Sequence, residues 1–148
     1  MSAYFDTSAI IKLYFPEAES EALSKWVSEQ KQIIPLSLFH KTEICNAFAL
    51  KLFRGEISEE QYHQILLCID EDQQAGILKE LSPDWMTVFR KSADIARQHT
   101  PSMGTRSLDI IHVALAVASR CKHFLTFDKR QSELASACGL EQLVFEKR

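Results

Sequence analysis

Short apolar runs and helical stripes alternate along the chain. Residues 3–5 form an apolar run that stops at Asp6, and "SAIIKLYF" after it has the look of a short helix ended by Pro16. In "EAESEALSKWVSEQ", residues 17–30, Ala18, Ala22, Leu23, Trp26 and Val27 recur at helical spacing. "QIIPLSL" predicts a strand that Pro35 places near an edge. A helix over 40–54, closed by Gly55, follows, and then one from Ser58 to Gln74 opened by the capping-box pattern "SEEQ". "GILKEL" predicts a strand, and "SPDWMTVFRKSADIARQH" a helix with Ser82 as N-cap and Pro83 at its first position. "HTPSMGTRS", 99–107, is the one loop-like cluster. Ser107 caps the next helix, to about Ser119; "HFLTF" is a strand, "KRQSELASA" a helix ending near Gly139, and "QLVFE" a last strand.

Strands separated by helices predict an α/β domain with a largely parallel sheet. Ligands of such sheets sit beyond the carboxyl ends of the strands. Asp6 ends the first strand and Asp128 ends "HFLTF".

Composition narrows the picture modestly. At 148 residues and 46% hydrophobic, the chain fits one globular domain over 1–148. Lys+Arg 17 against Asp+Glu 20 leaves a net charge of -3, which disfavours a broad basic surface but permits a local basic patch. Cys45, Cys68, Cys121 and Cys138 are far apart without a CxxC pair, which argues against a disulfide framework or a zinc site. The N-terminus lacks the features of a signal peptide and no apolar run is long enough to span a membrane, so a cytoplasmic protein is expected.

Four acids then draw attention. Asp6 and Asp128 each precede a helix, where Asp is a favoured cap. Asp109, in the first turn of a helix, complements the helix dipole. Capping and chemistry both fit these three. Glu43 is different, because it interrupts a helical face that carries Phe39, Ala47 and Leu50. An acid there is costly to bury unless it is paired or metal-bound. Convergence of these acids on one crevice would set carboxylates against each other, and a cation would offset the repulsion. Mg²⁺ or Mn²⁺ takes oxygen ligands, and such a site suits phosphodiester hydrolysis.

"DTSAIIKLYFPE", "TEICNAFAL" at 42–50, "RSLDIIHVALA" at 106–116 and "LTFDKR" at 125–130 together resemble PIN-domain proteins, above all the small VapC-type toxin ribonucleases. The ordered set spans nearly the whole chain. The resemblance implies a three-layer α/β/α PIN-like domain with a central, mainly parallel sheet of about four to five strands. It makes Asp6 the first-strand acid, Glu43 the helix acid, Asp109 the third, and Asp128 the more variable fourth, in a T-x-D motif with Thr126. It further implies an Mg²⁺-dependent endoribonuclease (Mn²⁺ as an alternative ion), an RNA substrate, a homodimer and inhibition by a cognate antitoxin of a type II system.

Thr7 or Ser8 would hydrogen-bond an acid or a ligand water, or simply start the helix. Thr126 shares a strand face with Asp128, and Asn46 lies one turn after Glu43. His112 follows Asp109 by a turn and reads as structural. Arg106, Lys129 and Arg130 flank two of the acids and would hold RNA phosphates, or serve as solvated surface charge. Other functions remain open: a PIN nuclease in RNA processing, or a silent RNA- or protein-binding module. A phosphotransfer domain built on Asp6 fits poorly, since haloacid-dehalogenase-like phosphatases need an acid where Ser8 stands and receiver domains need one where Thr7 stands.

Overall fold

The computed structural model describes residues 3–143. The expected strand "QLVFE" lies outside these residues from 144 onward. The chain divides into two compact units, residues 3–6 with 82–143, and residues 7–81.

The first unit is built on a three-stranded parallel sheet. Strands β1 (Ala3–Phe5), β4 (His123–Leu125) and β5 (Glu141–Gln142) lie in the order β1-β4-β5. Tyr4 pairs with Phe124 and Phe5 with Leu125. All three residues of β1 are buried, as expected of a parallel strand covered on both faces. Three helices complete the unit: α5 (Trp85–Met103), α6 (Ser107–Ala118) and α7 (Lys129–Ala137). In α6 the unbroken run His112, Val113, Ala114, Leu115 and Ala116 is buried. A helix apolar all round is one enclosed by its neighbours, and α6 packs on both α5 and α7.

The second unit holds α1 (Thr7–Ile11), α2 (Ser20–Glu29), β2 (Ile34–Leu36), α3 (Leu38–Phe53), α4 (Glu59–Gln74) and β3 (Leu78–Glu80). Strands β2 and β3 form a separate parallel pair, Ile34 opposite Leu78. Ile10, Leu23, Ile44, Phe48 and Leu78 supply its core. Ser58 caps α4 reciprocally with Gln61, the pattern read from "SEEQ". The hydroxyl of Tyr14 donates to Asp72 Oδ2 at 2.6 Å. Burial, and then the bonded Asp72 carboxylate, push the Tyr14 phenol well above its ordinary range. The unfolded phenol ionises near pH ~10 while the folded one stays neutral, so Tyr14 contributes full stability below that pH and loses it above. Denaturation midpoints are expected to fall more steeply between pH 9 and 11 (about one unit either side) for wild type than for Tyr14→Phe.

All five strands pair in parallel, but the ladders are split into three strands and two. Several boundaries differ from expectation. Helix α3 starts at Leu38, because Ser37 accepts from the His40 N–H and His40 Nδ1 accepts from the Ser37 N–H. The N-cap of α5 is Asp84 and not Ser82: its Oδ1 accepts from Met86 N at 3.1 Å. Most of the expected loop 99–107 is the last turns of α5, which continues through Pro101 to Met103. A proline there forfeits one backbone hydrogen bond, and Gly104 then ends the helix at φ 64, its N–H bonded to Thr100 O at 2.9 Å. Ser107 is the first residue of α6, with Arg106 at the N-cap position. Among the described residues, no helix is long and apolar enough to cross a membrane.

Candidate functional site

The carboxyl ends of β1 and β4 set the geometry. The Asp6 N–H donates to Leu125 O at 3.0 Å, which carries the β1–β4 ladder one residue beyond Phe5. Asp6 and Thr126 therefore leave adjacent strands side by side. The Thr126 hydroxyl donates to Asp6 Oδ2 at 2.6 Å, the length of a hydrogen bond to a charged acceptor. Asp6 is only 4% exposed, and an ionised carboxylate at that depth depends on such donors.

Thr126 is the hub of a larger network. Its oxygen accepts from the Asp128 N–H at 3.1 Å and meets the Gln131 amide at 3.0 Å. A hydroxyl has one proton to offer, and here it is directed at the Asp6 carboxylate. The Gln131 atom placed against Thr126 is Oε1, and its Nε2 lies buried with no partner among the described residues, so Thr126 sits between two side-chain oxygens, Asp6 Oδ2 and Gln131 Oε1. Replacing Thr126 by Val keeps the shape and removes this hydroxyl. A hydrogen bond to a charged group contributes about 1.5–3 kcal/mol, and urea denaturation of Thr126→Val is expected to show a loss of stability in that range.

Asp128 does two jobs at once. Its Oδ1 accepts from Gln131 N at 3.1 Å and caps α7. Its Oδ2 lies 3.6 Å from Arg106 Nη2, and Arg106 Nε lies 3.2 Å from Asp109 Oδ2. The first unit thus strings Asp6, Thr126, Gln131, Asp128, Arg106 and Asp109 on one chain of hydrogen bonds and ion pairs. In the second unit, the Thr7 hydroxyl donates to Glu43 Oε1 at 2.7 Å. Thr7 is buried and follows Asp6 directly in the chain.

The remaining expected residues are peripheral to these bonds. Ser8, Asn46, Lys129 and Arg130 are exposed. Among the described residues, Lys129 and Arg130 form no ion pair with the acids. His112 is buried and shares a 2.7 Å hydrogen bond with the Tyr4 hydroxyl. Gln131 was not anticipated as part of the site; its signal was the spacing Asp128-x-x-Gln131, which reads as a cap with a polar residue at the third helical position. Among the described residues, no three His, Cys, Asp or Glu side chains are gathered closely enough to hold a metal ion as they stand.

The family model of the PIN domain matches residues 3–137. The chain belongs to the PIN-domain family. Solved structures share its fold over nearly full lengths. FitAcB from Neisseria gonorrhoeae has a TM-score of 0.64 at 18% identity, covering 96% of each chain. VapBC2 from Rickettsia felis, bound to a DNA fragment from its promoter, has a TM-score of 0.66 at 12% identity, covering 99% of this chain and 100% of the other. VapC20 from Mycobacterium tuberculosis, described as a sarcin-ricin loop cleaving toxin, has a TM-score of 0.63 at 13% identity, covering 94% and 96%. No curated protein gives a significant match to the chain. At such low identities the likeness establishes the fold.

Proposed function

We propose that this PIN-domain protein is a divalent-metal-dependent endoribonuclease that hydrolyses RNA phosphodiester bonds as the toxin of a type II toxin–antitoxin system. The observation that carries the reading is the chain of bonds from Asp6 through Thr126 and Asp128 to Arg106 and Asp109. Capping accounts for Asp128 Oδ1 and the helix dipole for Asp109, but neither accounts for the Thr126 hydroxyl held against Asp6 Oδ2. The family match runs through both compact units, which supports reading them as one domain. VapC20, of the same fold, is described as a sarcin-ricin loop cleaving toxin, which supports reading this chain as a toxin. On this reading the protein is cytoplasmic, forms a homodimer and is inhibited by an antitoxin encoded beside it.

The donor set fits the proposed ion in its chemistry, while among the described residues no three of these side chains lie close enough to hold it as they stand. Asp6, Glu43, Asp109 and Asp128 offer only carboxylate oxygens, the ligands of Mg²⁺ and Mn²⁺, and Arg106 already brings positive charge to two of them. When bound, the ion would supply acidification of a water and neutralisation of charge developing on the phosphate. The side chains do the rest. Thr126 keeps Asp6 charged and aimed, and Thr7 holds Glu43. The helix cap fixes Asp128 by one oxygen and leaves the other facing Arg106. Lys129 and Arg130, exposed at the start of α7, would meet substrate phosphates without reading sequence.

The test is cleavage of cellular or transfer RNA by the purified chain with Mg²⁺. Cleavage is expected to stop in excess EDTA and to return with Mg²⁺ or Mn²⁺. Equal cleavage with and without EDTA would overturn metal dependence, and RNA binding without cleavage would favour a silent binding module.

A further inference from the structure

We infer that Arg106 is the internal counter-cation of Asp109 and Asp128, and that a divalent ion competes with it for the same two carboxylates. The inference rests on the metal-dependent reading above. Arg106 occupies the N-cap position of α6 with an extended backbone (φ -92, ψ 150) and makes no side-chain cap. Its side chain is spent elsewhere. Two different nitrogens of one guanidinium reach two carboxylates that arrive from two helices, Nε toward Asp109 Oδ2 at 3.2 Å and Nη2 toward Asp128 Oδ2 at 3.6 Å. A planar fork can span two acids in this way, and a point charge cannot.

The competition follows from which atoms are left. Asp128 Oδ1 is committed to the N–H of Gln131 at 3.1 Å. Its Oδ2, the atom that faces Arg106, is therefore the one through which it would meet a metal ion. Both cations perform the same task, which is to offset the repulsion between neighbouring carboxylates. Arg106 performs it loosely, because its side chain is 74% exposed and exposed ion pairs are weak and screened by salt. Once displaced by the ion, the guanidinium is free to pair with a phosphate, which it can grip through two N–H groups. Metal entry thereby releases a phosphate-binding arm beside the acids.

Mn²⁺ titration of the full chain, followed by the paramagnetic resonance signal of free Mn²⁺, tests this without measuring cleavage. Arg106→Gln is expected to bind Mn²⁺ about three- to tenfold more tightly than wild type, the scale of one or two exposed ion pairs. Arg106→Lys should fall between them, since an ammonium keeps the charge and loses the span. Arg130→Gln, which removes a charge of the same sign but no ion pair with the acids, should change affinity less than Arg106→Gln. Raising KCl to about 0.5 M should narrow the gap between wild type and Arg106→Gln. Unchanged or weaker binding by Arg106→Gln, or equal tightening by Arg130→Gln, would overturn the role given to Arg106. Equal Mn²⁺ binding by wild type and Asp109→Asn, or no saturable binding by wild type, would instead remove the metal-site reading on which it stands.

Discussion

Asp6→Asn is expected to lower RNA cleavage by at least about a hundredfold if Asp6 is a ligand of the proposed ion, because even partners that merely orient a metal-binding group are worth up to that much. The substitution is close to isosteric. An amide oxygen can still accept from Thr126, whose hydroxyl lies 2.6 Å from Asp6 Oδ2, and the backbone N–H keeps its bond to Leu125 O. What is lost is the negative charge, at a position 4% exposed. Activity and folding should therefore separate. Urea denaturation of the variant should give a midpoint at or near that of wild type, since a buried charge has been made neutral. Cleavage within threefold of wild type (about 0.7 kcal/mol of barrier) would remove Asp6 from the catalytic machinery and leave it as a strand-end residue.

Phe124→Ala lowers stability by about 3–5 kcal/mol, the usual cost of emptying a buried aromatic site. Phe124 is 2% exposed in the central strand of the three-stranded sheet, paired with Tyr4 on one side and Gln142 on the other. Its ring stacks on Tyr4 with centroids 5.3 Å apart at 13°. Tyr4 in turn meets the His112 ring edge-on at 5.8 Å and bonds its Nδ1. A cavity at Phe124 thus undercuts the packing of β1, the strand that presents Asp6. Phe53→Ala provides the contrast: that ring is 87% exposed, and surface changes stay within about 0.5 kcal/mol. Guanidinium midpoints for the two variants decide the matter. A loss below about 1.5 kcal/mol at Phe124 would show that the sheet collapses around the gap.

Phe124 and Phe53 also mark where reading the chain stops. Both are phenylalanines inside expected elements, Phe124 between His123 and Leu125 and Phe53 between Leu52 and Arg54, and residue type does not separate the buried ring from the exposed one. The same limit appears in α5. Pro101 and Gly104 in one short stretch read as a loop, yet the helix runs through the proline because only its last turn is affected. At the site, "FDTS" and "LTFD" each named their acid by position. The bond that joins them links residues separated by |i−j|=120, and it depends on β1 and β4 being neighbours in a particular register. The Arg106–Asp128 pair was out of reach for the same reason, whereas Gln131, with |i−j|=5 to Thr126, carried a local signal.

What the chain determines locally is therefore the order of strands and helices, their parallel sense, the capping boxes such as Ser58 with Gln61, and the identity of the acids at element ends. These follow from periodicity, backbone preference and short-range hydrogen bonding, which act within a turn or two. The tertiary structure alone decided that the described ladders split into three strands and two, that Thr126 donates a hydrogen bond to Asp6, and that one guanidinium serves both Asp109 and Asp128. Each of these depends on register and on through-space distance between distant segments, quantities that no local pattern of hydrophobic and polar residues encodes.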